Sequence, residues 1–191
     1  MSSAAAWTAC NVAAWCGWAY VLARVVVDAT PWAAPGVAGV VASCEFYCCV
    51  EVARMVVGSL RGNVPMGLVL HATRLVVLHG VLPGAGRDGV VRAILVAWAA
   101  TEVARYPMYV CRGVACFETL RSVAPVVTFP LGVIFEGRGL YLRMSDADVS
   151  LPLQVLAAVA LASNLVLGPY GYASVLARGH RALFSREKKK A

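Results

Sequence analysis

The residues in this sequence that could carry out chemistry are charged and phenolic side chains inside apolar segments. One group follows the i, i+3, i+4, i+7 spacing that places side chains on one face of an α-helix. Its members are Glu102, Arg105, Tyr106 and Tyr109. Ionisable residues at membrane depth are costly and usually functional, so this face is a candidate site.

A second polar stripe lies on the next apolar segment. Arg121, Thr128 or Phe129, and Glu136 recur at steps of seven or eight residues, which again defines one helical face. Because consecutive segments each carry such a stripe, we expect the two stripes to face each other across the interior of a helical bundle.

Three interpretations of these charges are open from spacing alone. Glu102–Arg105 and Glu51–Arg54 could be buried ion pairs that only hold helices together. The polar side chains could instead line a transport path, or they could form an active site inside the membrane. Composition does not separate these alternatives.

The elements that must position these side chains are membrane helices. Hydrophobic residues (AVILMFWYC) make up 60% of the 191 residues, charged residues only 14%, and the mean hydropathy is +0.72. A soluble domain contains about 25% charged residues, and disorder requires few apolar residues. Both classes are excluded, which leaves an all-α polytopic protein in a lipid bilayer.

Six apolar segments are long enough to be spans of about 20 residues. They cover about 6–27, 36–58, 65–82, 90–110, 115–141 and 151–176. The sequence therefore predicts one six-helix transmembrane domain over 1–191, with a short basic tail at 178–191. An even number of spans puts both termini on one side. That side holds eight basic residues and the other only Arg87 and Arg143, so we expect cytosolic termini.

The basic and metal-ligating residues give few further signals. The only lysines are Lys188, Lys189 and Lys190, and no basic stripe alternates with aromatic residues, so nucleic acid is not an expected partner. Seven cysteines and three histidines show no zinc spacing, so no metal is expected. Cys48 and Arg54 fit a Cys-x5-Arg phosphatase pattern, but the intervening residues contain no glycine for a phosphate loop.

Two central motifs resemble a known membrane-enzyme family. Trp98, Glu102, Arg105, Tyr106 and Tyr109 match the pattern W-S-x-x-E-x-x-R-Y-x-x-Y of the very-long-chain (3R)-3-hydroxyacyl-CoA dehydratases, also described as protein-tyrosine-phosphatase-like. The stretch 120–136 is similar to the family's L-R-Y-x-x-F-x-x-L-Y-P-x-G-x-x-x-E. Weaker matches are Asn11, Gly17-Trp18, Glu51 and Arg74.

The resemblance implies removal of water from 3-hydroxyacyl-CoA to give trans-2-enoyl-CoA, the third step of fatty-acid elongation. A tyrosine and a glutamate carry this chemistry in the family. Glu136 matches the glutamate, but the tyrosine position is Phe129, so Tyr106, Tyr109 or Thr128 would have to substitute. Because of Phe129, the alternative is a catalytically silent member that binds acyl-CoA or acts as a scaffold for elongase-cycle enzymes.

The remaining expectations concern supporting residues and location. Glu102, Arg105, Tyr106 and Arg121 should support the site, and Arg54, Arg61 and Arg112, like Arg121, could bind the CoA phosphates. No cofactor is implied. Lys188 and Lys189, fourth and third from the end, fit a dilysine retrieval signal of the endoplasmic-reticulum membrane.

Overall fold

In the computed structural model, the chain forms an all-helical bundle. The structure describes residues 3–84, 87–111 and 113–184. The helices are α1 (Ser3–Val27), α2 (Val37–Val56), α3 (Val64–Gly80), α4 (Asp88–Arg105), α5 (Pro107–Val110), α6 (Ala115–Met144) and α7 (Leu151–Phe184), with a 3₁₀ turn at Pro31–Ala33. No strand occurs within the described ranges. Arg112, Lys188 and Lys189 lie outside them.

Three helices are long and apolar enough to cross a membrane. They are Ala4–Val27, Ala115–Met144 and Leu151–Phe184. The other predicted spans are also helical, but α3 has only 17 residues and α2 and α4 carry several charged side chains. The structure therefore gives an all-α fold compatible with a membrane protein, with three helices that qualify as spans by length and composition.

Prolines determine several helix limits. The predicted fourth segment, 90–110, is divided at Tyr106 into α4 and the short α5, because Pro107 has no N–H and its ring crowds the preceding turn. By contrast, α6 continues through Pro125 and Pro130 and is three residues longer than predicted. The helix α7 runs to Phe184, so the first part of the predicted tail is helical.

The bundle is divided into an apolar half and a polar half. Buried residues near the end of α1, the start of α2 and the start of α4 pack with Val77 and Leu140 into a continuous core. Its members include Val21, Val25, Val37, Val41, Ile94 and Leu95. The buried charged residues lie closer to the other ends of α2 and α4. The site thus lies in the half of the bundle where α1 begins and α7 ends.

The helix α6 lies between α4 and α7, with which it makes its most extensive contacts, and α3 packs against α2 and α7. One close approach depends on a glycine. A Cβ added to Gly171 on α7 would lie 3.0 Å from Cζ of Phe129 and 3.2 Å from Cε of Met66. This packing brings α3, α6 and α7 together around the side chains described next.

Candidate active site

Glu136 is a buried carboxylate with two hydrogen-bond donors. It lies on α6 and is 4% exposed. Trp98 on α4 donates its indole N–H to Oε1 of Glu136 at 2.6 Å, and Asn164 on α7 donates its amide N–H to Oε2 at 3.4 Å. Three helices therefore fix the orientation of this carboxylate, and both donors are uncharged.

The Glu136 carboxylate lies in a cavity of about 160 Å³ between α3, α4, α6 and α7. A cavity of this size can hold a benzene-sized group or a few waters, so it fits the reacting part of a larger ligand. Its polar lining consists of His71, Arg74, Thr101, Glu102, Arg105, Thr128, Glu136, Ser163 and Asn164. Apolar side chains such as Met66, Leu70, Phe129 and Leu167 complete the wall.

Phe129 presents an apolar ring to this cavity two helical turns before Glu136. Its ring is nearly parallel to that of Tyr172 on α7, at an interplanar angle of 5° and a centroid distance of 6.4 Å. Tyr172 does not belong to the cavity lining. The position that holds the catalytic tyrosine in the resembling family therefore offers no proton here.

Two threonine hydroxyls lie at the cavity wall and contact each other. Oγ1 of Thr101 on α4 is 2.6 Å from Oγ1 of Thr128 on α6. Thr128 also donates to the carbonyl of Ala124 at 3.1 Å, and Thr101 lies 2.7 Å from the carbonyl of Ala97. Both hydroxyls are thus engaged with backbone or with each other, and they connect α4 to α6.

An ion-pair network of five residues joins α2, α3 and α4 beside the cavity. Arg74 Nη1 lies 3.0 Å from Glu102 Oε1 and 3.5 Å from Glu45 Oε2. Arg105 Nε lies 2.7 Å from Glu102 Oε2, and its Nη2 lies 2.7 Å from Glu51 Oε2. Each guanidinium thus bridges two carboxylates. The network is Glu45, Glu51, Arg74, Glu102 and Arg105.

His71 on α3 connects this network to the cavity. Its Nδ1 lies 2.5 Å from Oε1 of Glu45, and the ring is part of the cavity lining. Glu45 is fully buried and His71 is 7% exposed. His71 was not among the residues indicated by helical spacing, because its partner is on a different helix, 26 positions earlier in the chain.

Glu45, Cys48 and His71 place three potential metal-ligand atoms within 4.8 Å of one another. Two cationic side chains lie beside them, however. Arg74 Nη1 is 3.5 Å from Glu45 Oε2, and Arg105 Nη2 donates to Cys48 Sγ at 3.7 Å. Because two guanidiniums would repel a metal cation, this group is better described as part of the hydrogen-bonded cluster than as a metal centre.

The two tyrosines predicted as substitute acids lie away from the cavity lining. Tyr106 is fully buried; Arg105 donates to its hydroxyl at 2.9 Å, and the hydroxyl lies 3.3 Å from Glu51 Oε2. Tyr109 packs edge-on against Tyr106. Of the three candidates, the structure places only Thr128 at the cavity.

Among the described residues, the candidate phosphate-binding arginines lie near the helix ends of the polar half. Arg54 places its guanidinium 3.6 Å from the ring centre of Trp7 and is not ion-paired with Glu51, which instead binds Arg105. Arg61 is exposed in the α2–α3 connection. Arg121 donates to Met108 Sδ at 3.1 Å and lies over Tyr109, outside the cavity lining.

Comparison with family models gives one match over most of this structure. The model described as "Protein tyrosine phosphatase-like protein, PTPLA" matches residues 45–189. The matched region begins in α2 at Glu45 and includes every residue that lines the cavity. Comparisons with curated proteins and with solved structures give no match.

Proposed function

The chain belongs to the protein tyrosine phosphatase-like (PTPLA) family of very-long-chain 3-hydroxyacyl-CoA dehydratase-like proteins, and we propose that it dehydrates 3-hydroxyacyl-CoA to trans-2-enoyl-CoA. The observation that carries this proposal is the buried Glu136 carboxylate, held by Trp98 and Asn164 at the wall of the cavity. A phosphatase activity has no comparable support, because Cys48 lies inside α2 rather than in a phosphate-binding loop.

Dehydration requires a base for the C2 proton and a proton for the departing hydroxyl. Glu136 can serve as the base, since its hydrogen-bond donors among the described residues, Trp98 and Asn164, are uncharged and leave the carboxylate able to accept a proton. The N–H groups of Trp98 and Asn164 would orient it toward C2. A positioned acid or base contributes about 10²–10⁴-fold to the rate, so the carboxylate alone can supply substantial catalysis.

The substrate fits the distribution of apolar and basic residues. The acyl chain would extend from the cavity along apolar side chains of α3 and α7 such as Met66, Leu70 and Leu167. The CoA phosphates would lie near the helix ends, where Arg54, Arg61 and Arg121 are candidate ligands. Arg112, which lies outside the described residues, is a further candidate. No cofactor takes part in this reaction as proposed.

We also propose that six helices cross the endoplasmic-reticulum membrane, with both termini cytosolic. The apolar exposure of α6 and α7 supports contact with lipid. Lys188 and Lys189 would then face the cytosol as a retrieval signal, and other elongase-cycle enzymes are the expected protein partners.

Glycosylation acceptors placed near 83–88 and at 143–150 should be modified, and acceptors in the tail should not. Modification of the tail would overturn this orientation.

Phe129 favours a second candidate, a catalytically silent protein that binds acyl-CoA or acts as a scaffold. An assay of the full chain in vesicles with (3R)-3-hydroxyacyl-CoA would distinguish the two functions, because only an active dehydratase forms enoyl-CoA. Glu136→Gln should abolish turnover. Glu118→Gln is the matched control, because Glu118 is exposed on the same helix about 27 Å away. Binding of acyl-CoA without turnover in the unmodified protein would establish the silent alternative.

A further inference from the structure

We propose that His71, positioned by Glu45, supplies the proton that Phe129 cannot give to the departing hydroxyl. This inference rests on the proposed dehydration and names the acid for it. His71 lines the same cavity as Glu136 and Phe129, but it comes from a different helix, α3. The cavity thus combines a carboxylate base from α6 with an imidazole from α3.

The contact with Glu45 determines which ring nitrogen is available. Nδ1 of His71 lies 2.5 Å from Oε1 of Glu45, so Nδ1–H is donated to the carboxylate. Nε2 is then the nitrogen left to serve a ligand. The other oxygen of Glu45 lies 3.5 Å from Arg74 Nη1, which fixes the carboxylate in turn. A histidine oriented by a buried carboxylate is a common arrangement for proton transfer.

His71 lies against an ion-pair network in which carboxylates outnumber guanidiniums. The ion-pair network contains three carboxylates and two guanidiniums, so an imidazolium at His71 brings its charge to zero. A net charge in a buried cluster is costly. Other titratable groups near the ring are Cys48 on α2 and Glu136 on α6, while the cavity residues of α7, Ser163 and Asn164, are uncharged.

The proposed step conserves atoms and charge. Glu136 removes the C2 proton, and the electrons of the C–H bond form the C2=C3 double bond. The C3–O bond breaks, and the oxygen takes the Nε2 proton of His71 and leaves as water. Glu136 is then neutral and so is His71, so the summed charge of the site is unchanged. A proton passing from Glu136 to His71 through water restores both groups.

The other donors described at the cavity suit this role less well. Arginine does not deprotonate in proteins, and both Arg74 and Arg105 are occupied by carboxylates. Thr101 and Thr128 are weak acids that already hydrogen-bond to each other. Tyr172 stacks on the Phe129 ring but does not line the cavity. His71 lines the cavity, and an imidazole can both give and regain a proton.

The test uses the full chain in vesicles with (3R)-3-hydroxyacyl-CoA. His71→Asn keeps an N–H at the position that faces Glu45 but has no ionisable proton. We expect kcat to fall about 10²–10⁴-fold, with a small change in KM. His79→Gln is the matched control, because His79 is exposed near the end of the same helix and does not line the cavity. Retention of kcat within a few-fold in a folded His71→Asn protein would overturn the inference while leaving the dehydratase proposal intact.

Glu45→Gln tests the positioning role and does not depend on the folding of the His71 variant. The kcat–pH profile of the unmodified protein should have an alkaline limb, where the acid loses its proton. Glu45→Gln should move that limb to lower pH, since the imidazolium loses its counter-charge. An unmodified profile without an alkaline limb, or a limb that does not move in Glu45→Gln, would contradict the inference. Absence of any turnover in the unmodified protein would instead reject the dehydratase proposal, and the inference with it.

Discussion

The indole N–H of Trp98 donates to Oε1 of Glu136 at 2.6 Å, across the contact between α4 and α6. Trp98 is only 1% exposed, so this donor is shielded from bulk solvent. Trp98 is part of the motif that indicates the family, and in the structure its indole orients the carboxylate of the proposed base.

Trp98→Phe should lower kcat by about ten- to a hundred-fold, because misplacement of a reacting group by about 1 Å has effects of that size. Trp18→Phe is a matched control. Trp18 is also fully buried, and its Nε1 has no hydrogen-bond partner among the described residues. The two variants should lose similar packing, but only Trp98→Phe should lose turnover in the vesicle assay. Equal losses of kcat would mean that the Trp98 hydrogen bond serves packing alone.

Glu102 is the central carboxylate of the ion-pair network, since it contacts both Arg74 and Arg105. Removing one partner of a buried pair typically costs about 3–5 kcal/mol. Glu102→Ala should therefore reduce the free energy of unfolding by about that amount. Asp28→Ala breaks the partly exposed Arg24–Asp28 pair and should cost only about 0–1 kcal/mol. Denaturant unfolding in detergent measures both. Equal costs would show that the network is hydrated.

Part of this site could be predicted from spacing and part could not. Glu102, Arg105, Thr128 and Glu136 share helical faces in the sequence, and the structure brings them to one cavity. The partners of these residues come from other helices. His71 meets Glu45 and Asn164 meets Glu136 only because α3 packs on α2 and α7 packs on α6. Such pairings depend on helix order and rotation, which periodicity within one segment does not encode.

The helix boundaries, like the site, can be predicted only in part from the sequence. Apolar segments and prolines predict where helices lie, and Pro107 accounts for the break after α4. That break falls beside Tyr106, whose hydroxyl is directed to Glu51 and Arg105 rather than to the cavity. The i+4 spacing of Glu102 and Tyr106 predicts that they share a helical face. It does not predict that Glu102 lines the cavity while Tyr106 does not.

Asp146 links the α6–α7 connection, in which it lies, to Arg87 in the α3–α4 connection. Its carboxylate accepts hydrogen bonds from Arg87 and from Arg143, the latter at 2.8 Å. These hydrogen bonds, that of Arg87 first, lower the pKa of Asp146 below its ordinary value. A lowered pKa in the folded state means that the stabilisation is fully present above the unfolded value, near 3.9, and is lost as the pH falls through the folded value.

Asp146→Asn should therefore remove part of the acid dependence of unfolding. Its melting temperature should be below that of the parent at pH 6, and the two values should converge as the pH falls below about 4. Asp148→Asn is the control, because Asp148 is 77% exposed and lies 3.6 Å from Arg143. Melting curves recorded in detergent from pH 6 to pH 3 give the comparison. A constant difference between Asp146→Asn and the parent over that range would contradict the linkage.

Phe129→Tyr adds a phenol at the position where the sequence departs from its family. Cζ of Phe129, where the hydroxyl would be attached, lies close to Gly171, since a Cβ added there would be 3.0 Å from it. A buried hydroxyl without a partner costs about 1–3 kcal/mol, so the benefit depends on contact with substrate. In the parent we expect a modest rise in kcat, because His71 already supplies a proton. In the His71→Asn background the same change should recover up to about 10²–10⁴-fold of the lost rate. The two increments measure the coupling between the groups. If Phe129→Tyr raised kcat equally in both backgrounds, the phenol and His71 would act independently, and His71 would not be the acid that replaces the missing phenol.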